Sequence, residues 1–285
     1  MRWIGLWAPD WFLDLSVSLI AACFALRRAR PATRGSDVFL RRALGRPPLY
    51  RELHRHAKSF ALTMLDRVSL LTRGGDAFAL EARGDEVIRA LHAEGRGAVL
   101  LGAHYGSFEA LRAYDREMPG LVVRYLMHPA HAEASTALLD ELNPEVAARV
   151  IPLADGRAAM LAVAEALDRG EFVAFLGDRL QEGQGPPRPG AIVEAPFFGA
   201  CIRLPASPYV ASIVARAPLV FCVAVRTGRR RYEIEFTQLH DGSRAPRAAR
   251  AGLIQSLAEA YAARLERLCR RDPYQWFNFF DIWRA

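Results

Sequence analysis

Cysteine is scarce in this chain and is not arranged for chemistry. Cys23, Cys201, Cys222 and Cys269 lie far apart, and none belongs to a Cys-x-x-Cys pair. That spacing supplies neither a zinc ligand set nor a disulfide framework; free, buried thiols in a reducing compartment are expected. A long clean apolar run is also missing. Residues 3–26 are mostly apolar and aromatic but include Pro9, Asp10 and Asp14, and the uninterrupted stretch 15–26 is too short to span a bilayer. Each aspartate near a bilayer centre would cost about 2.5–3.5 kcal/mol. A small-residue cleavage site after a basic start is lacking, so no secretory signal is read here. There is no internal repeat. The arginines are scattered and form no nucleic-acid recognition motif, which argues against a nucleic-acid partner. Lysine occurs only at Lys58, so arginine carries the net charge of +7.

What is present is enough for one large α/β domain with a helical preface. The 285 residues are 52% hydrophobic and 24% charged, a balance that supports a sizeable core. A basic surface suits acidic partners such as phospholipid headgroups or an acidic carrier protein. Trp3, Trp7 and Trp11 recur every four residues and would form one stripe on a helix lying at a lipid–water interface; packing on the protein's own core is the alternative. Arg27, Arg28, Arg30 and Arg34 follow and would keep the body on the cytoplasmic side.

Residues 1–48 read as a helical, membrane-associating segment followed by an Arg/Pro/Gly-rich hinge with one short helix, and 49–285 as the main domain. Helical periodicity covers 49–71. From residue 98 onward, strands expected at 98–101, 121–127, 149–153 and 172–176 alternate with helices at 107–117, 132–142 and 157–169. Such alternation implies a mostly parallel central sheet flanked by helices, and the near-continuous apolar strands suit a sheet covered on both faces. A loop is read at 180–190, an extended segment at 192–198, and a helix over 205–216 with Ser207 as its cap. A hairpin is read around Thr227-Gly228, a long amphipathic helix over 248–270, and then an aromatic tail.

Two His-x4-Glu pairs occur, His104/Glu109 and His128/Glu133, where composition alone gives roughly one by chance. Context favours the first. His104 follows a buried-type strand, and ligands of open α/β sheets gather at strand carboxyl ends. Within one helix, five residues would turn the two side chains about 140° apart. The pair therefore needs His104 in a turn, which Gly106 permits, and Glu109 in a helix that Ser107 would cap. Gly102 is read as leaving room for a ligand to approach the backbone. His128 sits in a proline-broken turn without these supports. An imidazole, with an unperturbed pKa of about 6.5, is a suitable general base, and a carboxylate beside it would fix its tautomer. Ser107 as a covalent nucleophile lacks a nucleophile-elbow sequence.

The block Gly102-Ala103-His104-Tyr105-Gly106-Ser107-Phe108-Glu109 resembles the first motif of the lysophospholipid acyltransferase superfamily, in the branch of the late lipid A (lauroyl/myristoyl) acyltransferases. Further similarities follow in order along most of the chain. They are Ser59-Phe60-Ala61 to Leu65-Asp66-Arg67, Phe175-Leu176-Gly177-Asp178-Arg179, Ala195-Pro196-Phe197-Phe198-Gly199, Ala217-Pro218-Leu219-Val220 and Gln275-Trp276-Phe277. The resemblance implies transfer of a fatty acyl group from an acyl-carrier-protein or acyl-CoA thioester to a hydroxyl of a lipid or glycolipid, at the cytoplasmic face of the inner membrane and without a cofactor. His104 would be the base and Glu109 its partner. Gly106, Asp178, Arg179, Arg203 and Arg124 would bind or order substrate. Ser207-Pro208 stands where relatives usually have Gly-Pro. The Phe-Pro-Glu-Gly block of glycerolipid enzymes is absent, which speaks against glycerol 3-phosphate or lysophosphatidate as acceptor. A silent acyl-chain or carrier binder of the same fold, or a thioesterase, are the alternatives.

Overall fold

A computed structural model describes residues 10–26, 31–73, 77–114, 117–127, 147–153, 156–180 and 189–284. The helix read at 132–142, the His128/Glu133 pair and most of the 180–190 loop lie outside them. Three helices open the described chain: α1 (Asp10–Leu26), α2 (Pro31–Leu44) and α3 (Tyr50–Arg73). There follow β1 (Ala79–Arg83), α4 (Glu86–Ala93), β2 (Val99–Gly102), α5 (Phe108–Tyr114), β3 (Val123–Met127), β4 (Val150–Pro152), α6 (Gly156–Asp168) and β5 (Phe172–Leu176). The remainder is β6 (Ile192–Phe197), β7 (Ala200–Pro205), α7 (Ser207–Ala215), β8 (Leu219–Gly228), β9 (Arg231–His240) and α8 (Arg250–Arg271).

Seven strands form one sheet in the order β1-β9-β8-β2-β5-β3-β4. Every neighbouring pair is parallel except β8 and β9, which form the antiparallel hairpin. β2 and β5 sit at the centre, and Val99, Leu100, Leu101, Phe172, Val173, Ala174 and Phe175 are all buried, so both faces of the sheet are covered. Alternation along the strands separates two cores. Leu101, Phe175, Phe221 and Val223 pack with residues of α6, α7 and α8, while Leu100, Ala174, Val220 and Cys222 pack with α4 and α5.

Several local readings change. The hinge expected before residue 48 is mostly the 14-residue helix α2, whose Phe39 and Leu40 are fully buried in the first core. The Arg/Pro/Gly content misleads because Pro31 begins the helix, where its missing N–H costs nothing. Residues 200–205 form a strand, β7, paired antiparallel with β6 outside the main sheet. Ser207 does not cap α7: Ala206 holds the N-cap position, and no side chain caps it. All four thiols are free, but only Cys222 and Cys269 are buried; Cys23 and Cys201 are exposed.

Candidate active site

The site arises from the register of the two central strands. Gly102 of β2 lies opposite Leu176 of β5, and the Gly177 N–H donates to the Gly102 carbonyl (3.0 Å). His104 and Asp178, each two residues beyond its strand, therefore arrive at one level at the carboxyl edge of the sheet, where open α/β folds hold their ligands. His104 Nδ1 stands 2.8 Å from Asp178 Oδ1. The second oxygen, Oδ2, accepts the His104 backbone N–H (2.9 Å) and the indole N–H of Trp276 (2.8 Å). Asp178 is fully buried. Burial alone would raise its pKa; the His104 imidazole, Arg179 and the Trp276 donor outweigh that and hold the carboxyl below its ordinary range. An ionised carboxylate only accepts, so Nδ1 carries the proton and Nε2 keeps its lone pair. The His104 side chain is 31% exposed, and Nε2 has no protein partner among the described residues.

The segment after α8 completes the turn. Tyr105 bridges Trp276, the Gly106 N–H donates to the Gln275 carbonyl (2.9 Å), and the Phe277 N–H donates to the His104 carbonyl (2.8 Å). The Gln275 side chain bonds both backbone groups of Arg226 in β8, and Arg179 donates to the Phe277 carbonyl. Trp276 is buried edge-on against Phe39 and Phe197, with ring centroids 4.7 and 5.1 Å away. Its carbonyl accepts from His56 Nε2 (2.8 Å), an imidazole that burial pushes down to about 4 and thus keeps neutral at pH 7. The Tyr105 hydroxyl reaches the carbonyls of Leu268 and Asp272. Each residue of this turn is thereby fixed by long-range partners.

Gly106 has φ +72°, and a Cβ there would fall 1.9 Å from the Ala224 carbonyl oxygen. No other residue type fits this turn without displacing β8. Ser107 caps α5 as expected, its Oγ accepting the Ala110 N–H (3.2 Å). Glu109, buried one residue into α5, meets α3: its Oε1 stands 2.8 Å from Arg67 Nε. The carboxylate bonded to the imidazole is therefore Asp178, whereas the sequence pairs His104 with Glu109. The neighbouring Asp66 receives Arg226 Nε (2.9 Å) and the Tyr232 hydroxyl (2.8 Å), so α3 clamps the site through two consecutive charged residues.

The remaining residues expected at the site are placed elsewhere. Gly102 packs against the Cys222 carbonyl and Leu176, and its own carbonyl also accepts the Tyr261 hydroxyl (3.0 Å). Arg124 lies in the row Arg124–Val173–Val99, towards the amino ends of the strands, and forks onto Glu171 (2.8 and 3.2 Å). Hydrogen bonds from Arg124 and Arg169 bring the Glu171 pKa down to about 2. Arg203 is exposed on β7, opposite Glu194 in the hairpin.

An apolar slot of about 410 Å³, counting its open mouth, runs beneath α5, between that helix and the sheet. Leu100, Phe108, Met118, Tyr125 and Arg112 are among its walls; His104 is not, although Phe108 lies four residues past it in the sequence.

The arrangement is an imidazole whose free nitrogen is a proton acceptor, held by a buried carboxylate at a sheet edge beside an apolar slot. None of the curated proteins compared with this chain matches it. The sequence profile described as bacterial lipid A biosynthesis acyltransferase matches residues 54–285, which span α3, the sheet, His104, Asp178 and the Gln275-Trp276-Phe277 segment. With that match over most of its length, the chain belongs to the bacterial lipid A biosynthesis acyltransferase family and is an O-acyltransferase.

Proposed function

We propose that the protein moves a fatty acyl group from an acyl-carrier-protein or acyl-CoA thioester to a hydroxyl of a lipid or glycolipid at the cytoplasmic face of the inner membrane. The bond between His104 Nδ1 and buried Asp178 carries this reading, because it leaves Nε2 basic. Nε2 takes the acceptor's hydroxyl proton as the oxygen attacks the thioester carbonyl carbon. A C–O bond forms, the C–S bond breaks, and the imidazolium returns its proton to the leaving thiolate. Asp178 stabilises the imidazolium as it forms. Glu109 acts one step removed: with Arg67 it ties α5 to α3 behind the His104 turn. Arg179 orders the site through the Phe277 carbonyl.

The outer side of α1 supports docking on a membrane surface. Leu15, Leu19, Ile20 and Leu26 are 51–71% exposed, while Val17, Ala21 and Ala25 are buried against the body. A helix apolar on both sides has a second apolar phase to meet. No helix among the described residues is long and apolar enough to cross a membrane.

Mass spectrometry of lipids from cells producing the wild-type protein or His104→Ala tests the proposal. A species heavier by one acyl unit is expected with wild type alone. The same species at the same level with His104→Ala would overturn the mechanism, and free fatty acid without an acylated lipid would indicate a thioesterase.

A further inference from the structure

We propose that the slot beneath α5 holds an acyl chain bearing an oxygen atom part-way along its length, and that Arg112 selects that chain. This rests on the acyl-transfer reading above and names its substrate class. Arg112 is 9% exposed and lines the slot among apolar side chains. Its guanidinium carbon stands 4.4 Å from the centre of the Tyr125 ring. That contact supplies the N–H donors with no lone-pair acceptor. Nε and Nη2 are buried with no hydrogen-bond partner, and Arg112 has no ion pair among the described residues. Other arginines near it each have a carboxylate ion partner: Arg67 has Glu109, although its Nε also lacks a hydrogen bond, Arg124 has Glu171 and Arg226 has Asp66.

A guanidinium stays charged at any physiological pH, so it cannot escape burial by losing its proton. A plain hydrocarbon chain entering the slot would expel water and leave these donors facing methylenes. A chain with a hydroxyl, oxo or carboxylate oxygen would satisfy them. Sites built around a buried donor reject ligands that lack the matching acceptor far more strongly than apolar pockets reject an extra methylene. Register locates the oxygen. Tyr125, Ala174 and Leu100 form one row across the sheet, four residues before His104 on β2, or about 13 Å along the strand. The acceptor atom therefore belongs well down the chain, away from the thioester.

The test uses the N-acetylcysteamine thioesters of dodecanoic acid and of its hydroxy, oxo and terminal carboxy derivatives. Their dissociation constants are measured on the wild-type protein without an acceptor lipid. At least one oxygenated chain should bind about tenfold or more tightly than the dodecanoyl thioester. Arg112→Met should abolish that preference, and Arg112→Lys should keep part of it. Equal or tighter binding of the plain chain by wild type would overturn the proposal, as would an unchanged preference in Arg112→Met. If Arg112→Met does not fold, the wild-type ratio decides alone. A preference in binding without transfer to any lipid would refute the acyl-transfer reading and spare the slot assignment. Transfer of plain and oxygenated chains alike would do the reverse.

Discussion

Asp178→Asn separates a base held in one tautomer from a histidine that is merely nearby. The wild-type carboxylate divides its work: Oδ1 faces His104 Nδ1, while Oδ2 takes two N–H donors, from the His104 backbone and Trp276. An asparagine must put either its carbonyl or its NH2 at the Oδ2 position. Its NH2 there would confront two donors and leave both unsatisfied, at about 1–3 kcal/mol each. The carbonyl therefore stays, and the NH2 is directed at Nδ1. That nitrogen must then accept, the proton moves to Nε2, and the base is gone. An aspartate-to-asparagine exchange behind a catalytic imidazole lowers kcat by on the order of 10⁴, equivalent to about 5.5 kcal/mol of barrier. The fold should persist, since both donors keep an acceptor. Single-turnover acyl transfer, with circular dichroism melting as the control, would measure the effect. A folded variant with kcat within tenfold of wild type would refute the assignment of Asp178 as the residue that sets the tautomer.

Two further outcomes follow from the same neighbourhood. His56 titrates near 4 in the folded protein and near the ordinary 6.5 when unfolded. Between those values only the unfolded chain binds the proton, so stability is intact above pH 6.5 and falls by about 3 kcal/mol as pH drops to 4. Thermal melting across pH 4–7 should show this loss, and His56→Gln should flatten it; equal slopes for the two proteins would contradict the account. Gly106→Ala forces a left-handed backbone on alanine, at about 1–2 kcal/mol, and drives a methyl into the Ala224 carbonyl. It should lower the melting temperature and abolish transfer, and an active, equally stable variant would show that the turn tolerates a side chain.

Much of the sheet was legible because β2 and β5 are short, apolar and bounded by turn residues, so period and length agreed. β7 was not: Ala200 to Pro205 alternates buried and exposed positions, but it follows a Phe-Phe-Gly turn and leads directly into α7. His104 was legible from its strand, turn and helix context. Its carboxylate was not, since Asp178 is far away in sequence and becomes a neighbour only through parallel pairing of β2 with β5. A signal did exist: both residues stand two positions past an apolar strand, and that offset is informative once the strands are known to be adjacent. Trp276 belongs to the aromatic tail and is buried; that its N–H also holds Asp178 follows from three-dimensional position alone. Arg124 looked like a substrate-binding residue because an arginine's charge is visible in a sequence and its partner, here Glu171, is not.

The dependence of the His104 turn on residues 275–278 sets when this enzyme can become active. A ribosome releases the turn long before it makes the segment whose backbone and indole complete it, at about 5–20 residues per second. Until that segment docks, the nascent chain has an imidazole but lacks the Trp276 donor to Asp178 and the two backbone bonds that fix the turn. On the proposed mechanism, acyl transfer would be withheld from unfinished polypeptides, and a chain cut short before Gln275 is expected to be inert even with its sheet assembled.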